Sequence, residues 1–370
     1  MFAQIAKYSA LALAAATLLT GCTPPPPPEV LAAWAEQSPT CIEGEASAYF
    51  PREIGDVALG LVGSISLSCD GSDPEKLALM GATVTDSLDS ANIVVATDGD
   101  YGRQKAYSSV PWAIDGAVLV ANLPENSGLN LTPAVAQGIL DGSISDWSDD
   151  AIAKANPNEA FSSGPITVVA ESTENAIDAF SNWMSYLSGK SFDAKKLKAG
   201  AIPSVAAITN LPVGGITLVP LSVKSEFDLN AILPMLSANI IVGKDPNNPE
   251  LDLPVAPDAI GVASAATQVA ITKNGDELVG AIDHSLTPIP PAGADFPDPA
   301  YGAIFVINMK LVGKDTLLSR AVARFLLRQD SQGLVGSSYL LPLASATRIE
   351  ALAAVSKGLP QPVIADDSGE

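Results

Sequence analysis

An alternation of short apolar runs with amphipathic helical stretches predicts an α/β body. The chain of 370 residues is 47% hydrophobic and 16% charged, enough apolar material for a sizeable core of one or two domains. Mean hydropathy is +0.26, which sets it apart from disordered chains. Its expected strands are near-continuous apolar runs, the pattern of strands covered on both faces.

In chain order, Met1–Gly21 reads as an export signal. Lys7 supplies the short positive region, and Ser9–Thr20 is an apolar stretch too short to count as a membrane span. It ends in Leu19-Thr20-Gly21-Cys22, and small residues just before a Cys resemble the bacterial lipobox, where the thiol is lipidated and becomes the new N-terminus. An ordinary secretory signal and an uncleaved anchor are the alternatives. Residues 22–40 then read as a lipid-anchored tether, because the run Pro24–Pro28 is extended and semi-rigid. Export leaves Cys41 and Cys69 in an oxidising compartment, where they are expected to pair as a disulfide; two separate buried thiols are the alternative.

Beyond Cys41, strands are expected at Ser64–Ser68, Ala91–Thr97, Gly116–Asn122, Ile166–Ala170 and Ile216–Pro220. Ile177, Phe180, Met184 and Leu187 recur at helical spacing, which predicts a helix over Glu174–Ser188. Leu318, Val322 and Phe325 predict another from about Asp315 to Arg328. The Pro- and Gly-rich stretches Asp245–Asp258 and Pro288–Pro299 read as loops within the body, and 361–370 as a polar tail. No segment after Cys22 reads as a transmembrane helix.

Composition excludes several function classes. Lys and Arg number 20 against 41 Asp and Glu, a net charge of −21, so no cationic excess exists to neutralise nucleic-acid phosphates or an anionic membrane. Membrane attachment must therefore come from the anchor. His284 is the one histidine, which removes Ser-His-Asp and Cys-His hydrolase schemes and a His/Cys-rich zinc site. No Gly-rich nucleotide fingerprint is present. Asp245-Pro246-Asn247-Asn248 lacks the glycine and terminal glutamate of a calcium loop, so neither metal nor cofactor is expected.

Several stretches resemble the substrate-binding proteins of phosphate-type ABC importers. Across Gly138–Asn158, the residues Ile139, Gly142, Ile144, Trp147, Asp149, Ala151, Ile152, Asn156 and Pro157 fall in register with that family's I-[YF]-x-G-x-I-x-x-W-x-D-P-A-I-x-x-x-N-P phrase. The cluster Asp146, Asp149 and Asp150 lies inside this phrase and reads as capping and solvating a helix. Ile166–Ser188 matches a strand running into a helix, and Gly44–Pro51, Gly71-Ser72, Ala96-Thr97-Asp98 and Ser337–Leu343 follow in the family's order. The resemblance implies a two-lobed, periplasmic-binding-protein-like α/β fold of type II with a hinge of crossing strands. Lobe 1 would comprise 41–114 plus 302–360 and lobe 2 115–301, with the first crossing near Ala113–Ala117 and the return near Tyr301–Phe305. Hinge closure would capture a small-molecule ligand, and ABC permease subunits at the membrane would recognise the closed form.

The family's phosphate site implies tentative ligand residues here. Phe50 keeps the aromatic of the first loop, Ser72 matches a loop serine, and Asp98 stands where a proton-accepting carboxylate belongs. Core packing explains Phe50 equally well, and local turns explain Ser72 and Asp98. Asp73 replaces a glycine of the second loop. The arginine position is Glu171, and the Ser-Gly-Thr donors become Asn175, Ala176 and Ile177. At about 4 Å and an effective dielectric near 20, that exchange turns an attraction of roughly 4 kcal/mol into a repulsion of similar size. Ser172 and Thr173 suit a helix cap. Arg103 and Lys105 are the nearest replacement cations, with surface solvation as the alternative. Convergence of Asp73, Asp98 and Glu171 would favour a cationic or polyhydroxylated ligand over phosphate. A surface interaction or structural lipoprotein that keeps this fold is the competing reading, and an enzyme using paired carboxylates a distant third. Intact-mass measurement of membrane-extracted protein should find a chain beginning at acylated Cys22, and a mature chain with an unmodified Cys22 would contradict the lipobox.

Overall fold

A computed structural model describes residues 36–50, 54–69, 79–96, 105–169, 171–194, 197–199, 208–230, 235–245, 247–275, 277–289, 300–338 and 340–360. The chain divides into two units, Met1–Pro39 with Gln361–Glu370, and Thr40–Pro360. The signal, Cys22, most of the tether and the tail lie outside the described residues.

The second unit begins with β1 (Gly44–Tyr49), α1 (Gly55–Ser68), β2 (Met80–Val84), β3 (Ile93–Ala96), β4 (Ala106–Ala121), β5 (Asn130–Leu131), α2 (Pro133–Asp141) and α3 (Asp150–Ala155). It continues through β6 (Thr167–Val168), β7 (Glu171–Ser172), α4 (Glu174–Ser188), β8 (Lys198–Ala199), β9 (Gly215–Pro220), α5 (Leu221–Asn230), β10 (Leu236–Ser237), β11 (Asn239–Lys244) and β12 (Asp252–Val255). Last come α6 (Ala259–Ala266), β13 (Val269–Asn274), β14 (Glu277–Ile282), β15 (Ile304–Val312), α7 (Leu317–Leu326), α8 (Gln329–Val335), β16 (Leu341–Pro342) and α9 (Ser345–Val355).

β4 organises the sheets. Its 16 residues are buried from Ser108 onward, as an apolar run covered on both faces requires. The first half lies in the path β13-β14-β4-β15-β3-β1-β2, with β1 parallel to β2 and β3 and β15 antiparallel to both of its neighbours. The second half, Ala117–Ala121, pairs antiparallel with β9, which pairs with β6; β10 takes its other edge. The hairpin β13–β14 falls within 115–301 yet pairs with Ser109, in the first half of β4.

The segments around Ala113–Ala117 and Tyr301–Phe305 pair with each other. Ile304 pairs with Gly116, the Ala117 N–H donates to the Ala303 carbonyl at 2.7 Å, and the Tyr301 hydroxyl donates to the Ala117 carbonyl at 2.9 Å. Asp115, buried beside them, accepts from the Gly116 N–H at 2.7 Å, the Ser222 N–H at 3.1 Å and the Ser222 hydroxyl at 2.6 Å. Its carboxylate thus meets the first turn of α5, where unpaired N–H groups favour negative charge.

Two expectations need correction. Ser64–Ser68 is the end of α1, not a strand. In a strand Ile65 and Leu67 would share a face, but Ile65 is fully buried and Leu67 is 81% exposed, while Ala58, Leu61, Val62 and Ile65 bury at helical spacing. Asp245–Asp258 is not all loop, because it contains β12, an edge strand antiparallel to β11 whose Pro254 is tolerated at the edge. The other strands stand within one residue of their expected bounds or inside them, except that Gly116–Ala121 is the end of the longer β4. α4 has the expected limits, with Thr173 accepting from the Ala176 N–H and Gly189 left-handed at φ 63°. Asp149 caps α3 through the Ala151 N–H, as the aspartate cluster implied. Among the described residues no helix is long and apolar enough to cross a membrane.

Cys41 and Cys69 form a disulfide, closing a loop over a separation of 28 residues. Replacing both by serine is expected to cost about 3–4 kcal/mol through freedom returned to the unfolded chain. Urea unfolding checks this, and an unchanged midpoint would contradict it.

Candidate functional site

The site is built on α4. Ala176, Ala179, Phe180, Trp183 and Met184 form its buried stripe and fix its rotation. Trp183 lies 4.6 Å from the Tyr301 ring, centroid to centroid, and a Cβ at Gly302 would stand 2.6 Å from the Trp183 indole and 3.1 Å from His284. Only glycine lets helix and crossing segment approach this closely. His284 also packs its ring 5.1 Å from that of Tyr186. Burial is the main influence on its imidazole and holds its pKa below the usual value, with a smaller opposing pull from Asp283.

Between α4 and the strands β14 and β15 lies a cavity of about 420 Å³. That size falls in the range of small-molecule sites, about 300–1,000 Å³. Asn175, Asp178 and Asn182 enter from α4 at positions i, i+3 and i+7, one face of the helix. Val306, Asn308 and Lys310 enter from β15 at strand spacing, and Glu277 from the start of β14. The backbone of β4 contributes to this placement. Ile307 pairs with Ala113 and Asn308 with Pro111, so Trp112 is an extra residue in a bulge. Proline, which lacks an N–H, is tolerated there. The bulged Trp112 is fully buried, and its indole N–H donates to the Leu326 carbonyl at 3.3 Å.

The polar groups of the cavity differ in burial: Asp178 and Asn182 are exposed to water, and Asn175 and Glu277 are half-buried. The side chains of Asn175, Asp178, Asn182, Glu277 and Asn308 make no hydrogen bond or ion pair among the described residues. Asn308 is 9% exposed and its Oδ1 is buried without a partner. Elsewhere such groups serve local turns: Asp146 accepts from Ser148, Ser163 and Gly164, and these bonds, Ser148 first, hold its carboxyl below the usual range.

Of the expected site residues whose side chains are described, only Asn175 lines this cavity. Phe50 lies in the core, edge-on to Trp112 with centroids 6.0 Å apart. Ser172 is fully buried and its hydroxyl donates to the Leu218 carbonyl at 2.8 Å. Thr173 is the cap of α4. The backbone of Glu171 pairs with Lys198 in the two-stranded β7–β8. Lys105 is exposed. Ser72, Asp73, Asp98 and Arg103 lie outside the described residues. Reading the sequence missed Asp178, Asn182, Glu277 and Asn308. The polar stripe on α4 was visible in its spacing, whereas the strand residues join it only through tertiary pairing. Among the described residues no group of three or more His, Cys, Asp or Glu could hold a metal ion.

No protein-family model matches the sequence, and no curated protein matches it. Solved structures do. A high-affinity periplasmic phosphate-binding protein (PfluDING) bound with phosphate matches at 15% identity and TM-score 0.51, covering 84% of this chain and 93% of that one. A DING protein matches at 14% identity and TM-score 0.51, over 83% and 93%. The fold is that of the phosphate-binding proteins. An ABC-type phosphate transport receptor from Vibrio cholerae matches at 12% identity and TM-score 0.41, over 80% and 99%. This phosphate-binding-protein-like fold is a two-lobed α/β architecture.

Gly302→Ala is expected to lower stability by about 1–3 kcal/mol by overpacking the Trp183 contact. Chemical denaturation measures it, and a variant as stable as the parent would contradict the tight approach.

Proposed function

We propose that this chain is an extracytoplasmic solute-binding lipoprotein of a phosphate-type ABC importer, anchored to the cell membrane through Cys22. Its lobes, 41–114 with 302–360 and 115–301, close on a small solute, and permease subunits receive the closed form. The observation that supports this reading is the cavity of about 420 Å³ between α4 and the crossing strand β15, lined in part by Asn175, Asp178, Asn182 and Glu277, whose side chains make no hydrogen bond or ion pair among the described residues. A fold kept only for surface interaction has no need of such a cavity, and its volume is not filled by aromatic side chains. Solute capture needs no catalytic group, and the reading assigns none.

The site residues of this reading remain Phe50, Ser72, Asp98, Glu171, Ser172, Thr173 and Asn175 by resemblance, to which the cavity adds Asp178, Asn182, Glu277 and Asn308. The neighbours named for phosphate supply the ligand class to consider first. A desolvated phosphate is held best by bidentate guanidinium and backbone N–H donors. Among the described residues no arginine lines the cavity. Arg320 pairs with Asp315 and Arg328 with Asp330, both at 2.7 Å, on and beside α7. Among the described residues Lys310 is the one Lys or Arg in the lining of the cavity, beside the acids Asp178 and Glu277. With Glu171 at the family's arginine position, this balance opposes a dianion.

Isothermal titration of the full chain with inorganic phosphate at fixed pH is expected to show no micromolar binding. Micromolar affinity would overturn the weight placed on Glu171.

A further inference from the structure

Asparagine followed by glycine occurs once in the chain, at Asn274-Gly275. The pair stands at the tip of the β13–β14 hairpin. Asn274 pairs with Glu277, so two residues close the turn, and Gly275 takes the positive φ, 65°, that tight hairpins call for. Both residues are exposed, and a Cβ at Gly275 would meet nothing within 4 Å. Neither the Asn274 carboxamide nor the Gly275 N–H has a hydrogen-bond partner among the described residues. Because β13 ends the sheet path, this tip is tied to β14 alone, and the end of an edge hairpin opens locally at small cost.

The arrangement favours a reaction within the backbone. Attack of the Gly275 nitrogen on the Asn274 carboxamide carbon closes a five-membered ring. A side chain on the following residue would crowd that approach, and glycine has none. Every other asparagine is followed by a residue that carries a side chain. Several are also held by their own amides: Asn122 donates to Leu211, Asn126 to Glu159 and Ala160, and Asn156 to Asn130 and Ile152.

We propose that Asn274 is a site of spontaneous deamidation through a succinimide. The Gly275 nitrogen loses its proton to hydroxide and bonds to the side-chain carbonyl carbon; the C–NH2 bond breaks and ammonia leaves with a proton from water. Water then opens the ring at one carbonyl or the other, giving aspartate or isoaspartate. An aspartate at this position stands directly across from Glu277, where like charges destabilise a strand pair. Isoaspartate adds a methylene to a two-residue turn whose length sets the register. Glu277 pairs β14 with Ser109 of β4 and lines the cavity beside α4, so either product alters an edge of that cavity.

The test incubates the full chain at mildly alkaline and at mildly acidic pH and maps its peptides by mass spectrometry. A gain of one dalton should accumulate at Asn274, with both products present. It should advance several-fold faster at the alkaline pH, because the attacking nitrogen must lose its proton. Gly275→Asp tolerates the left-handed conformation yet carries a side chain, and should slow the gain several-fold or more. Asn274→Asp should melt below the parent, and a melting temperature equal to the parent's would overturn the like-charge consequence. No gain at Asn274, or a faster gain at another asparagine, would overturn the proposal, whatever the cavity binds.

Discussion

The fold depends on one strand serving two sheets. β4 pairs with β14, β15 and β16 along its first half and with β9 and β10 along its second. Every backbone group near the change of partner must still be bonded, because water is excluded there. Ala117 shows how this is met: its N–H reaches the Ala303 carbonyl and its carbonyl accepts from the Tyr301 hydroxyl. Asp115 ties the same point to α5 through Ser222. A Cβ at Gly116 would stand 3.4 Å from Leu221 and 3.6 Å from the Ala303 carbonyl, so the crossing is as closely packed as it is bonded.

The charge distribution follows a second constraint. A chain of net charge −21 has few cations to place. Several with defined partners hold secondary structure together: Arg320 grips Asp315 through two bonds at 2.7 and 2.9 Å, and Lys224 meets Asp228 one turn on. The guanidinium of Arg320 is what holds the Asp315 carboxyl below its ordinary range. Among the described residues, Lys310 is the one Lys or Arg lining the cavity beside α4, whose other polar side chains include amides and carboxylates.

Local signals made much of the architecture legible. α4 was readable to the residue because amphipathic spacing, the Thr173 cap and Gly189 agree. The matched phrase at 138–158 is explained by structure alone: Gly142 is left-handed at φ 87°, Trp147 donates to the Gly214 carbonyl at 3.0 Å, and Asn156 bonds both backbone groups of Asn130. Ser64–Ser68 misled because its alternating serines mimic a strand, while only the burial of the preceding turns shows the helical period. The site was far less legible. Phe50, Ser172 and Thr173, singled out by resemblance, serve core and cap, and Glu277 and Asn308 come to α4 through a hairpin and a bulge that no local spacing encodes.

The central claim is that the halves of the body hinge about β4 and close on a bound solute. Spin labels at Leu67→Cys on α1 and Lys190→Cys after α4, both exposed positions, report the separation across that hinge by pulsed dipolar spectroscopy. The account predicts that a solute shown to bind shortens and narrows the distance distribution. A distribution that stays the same at saturation would contradict it.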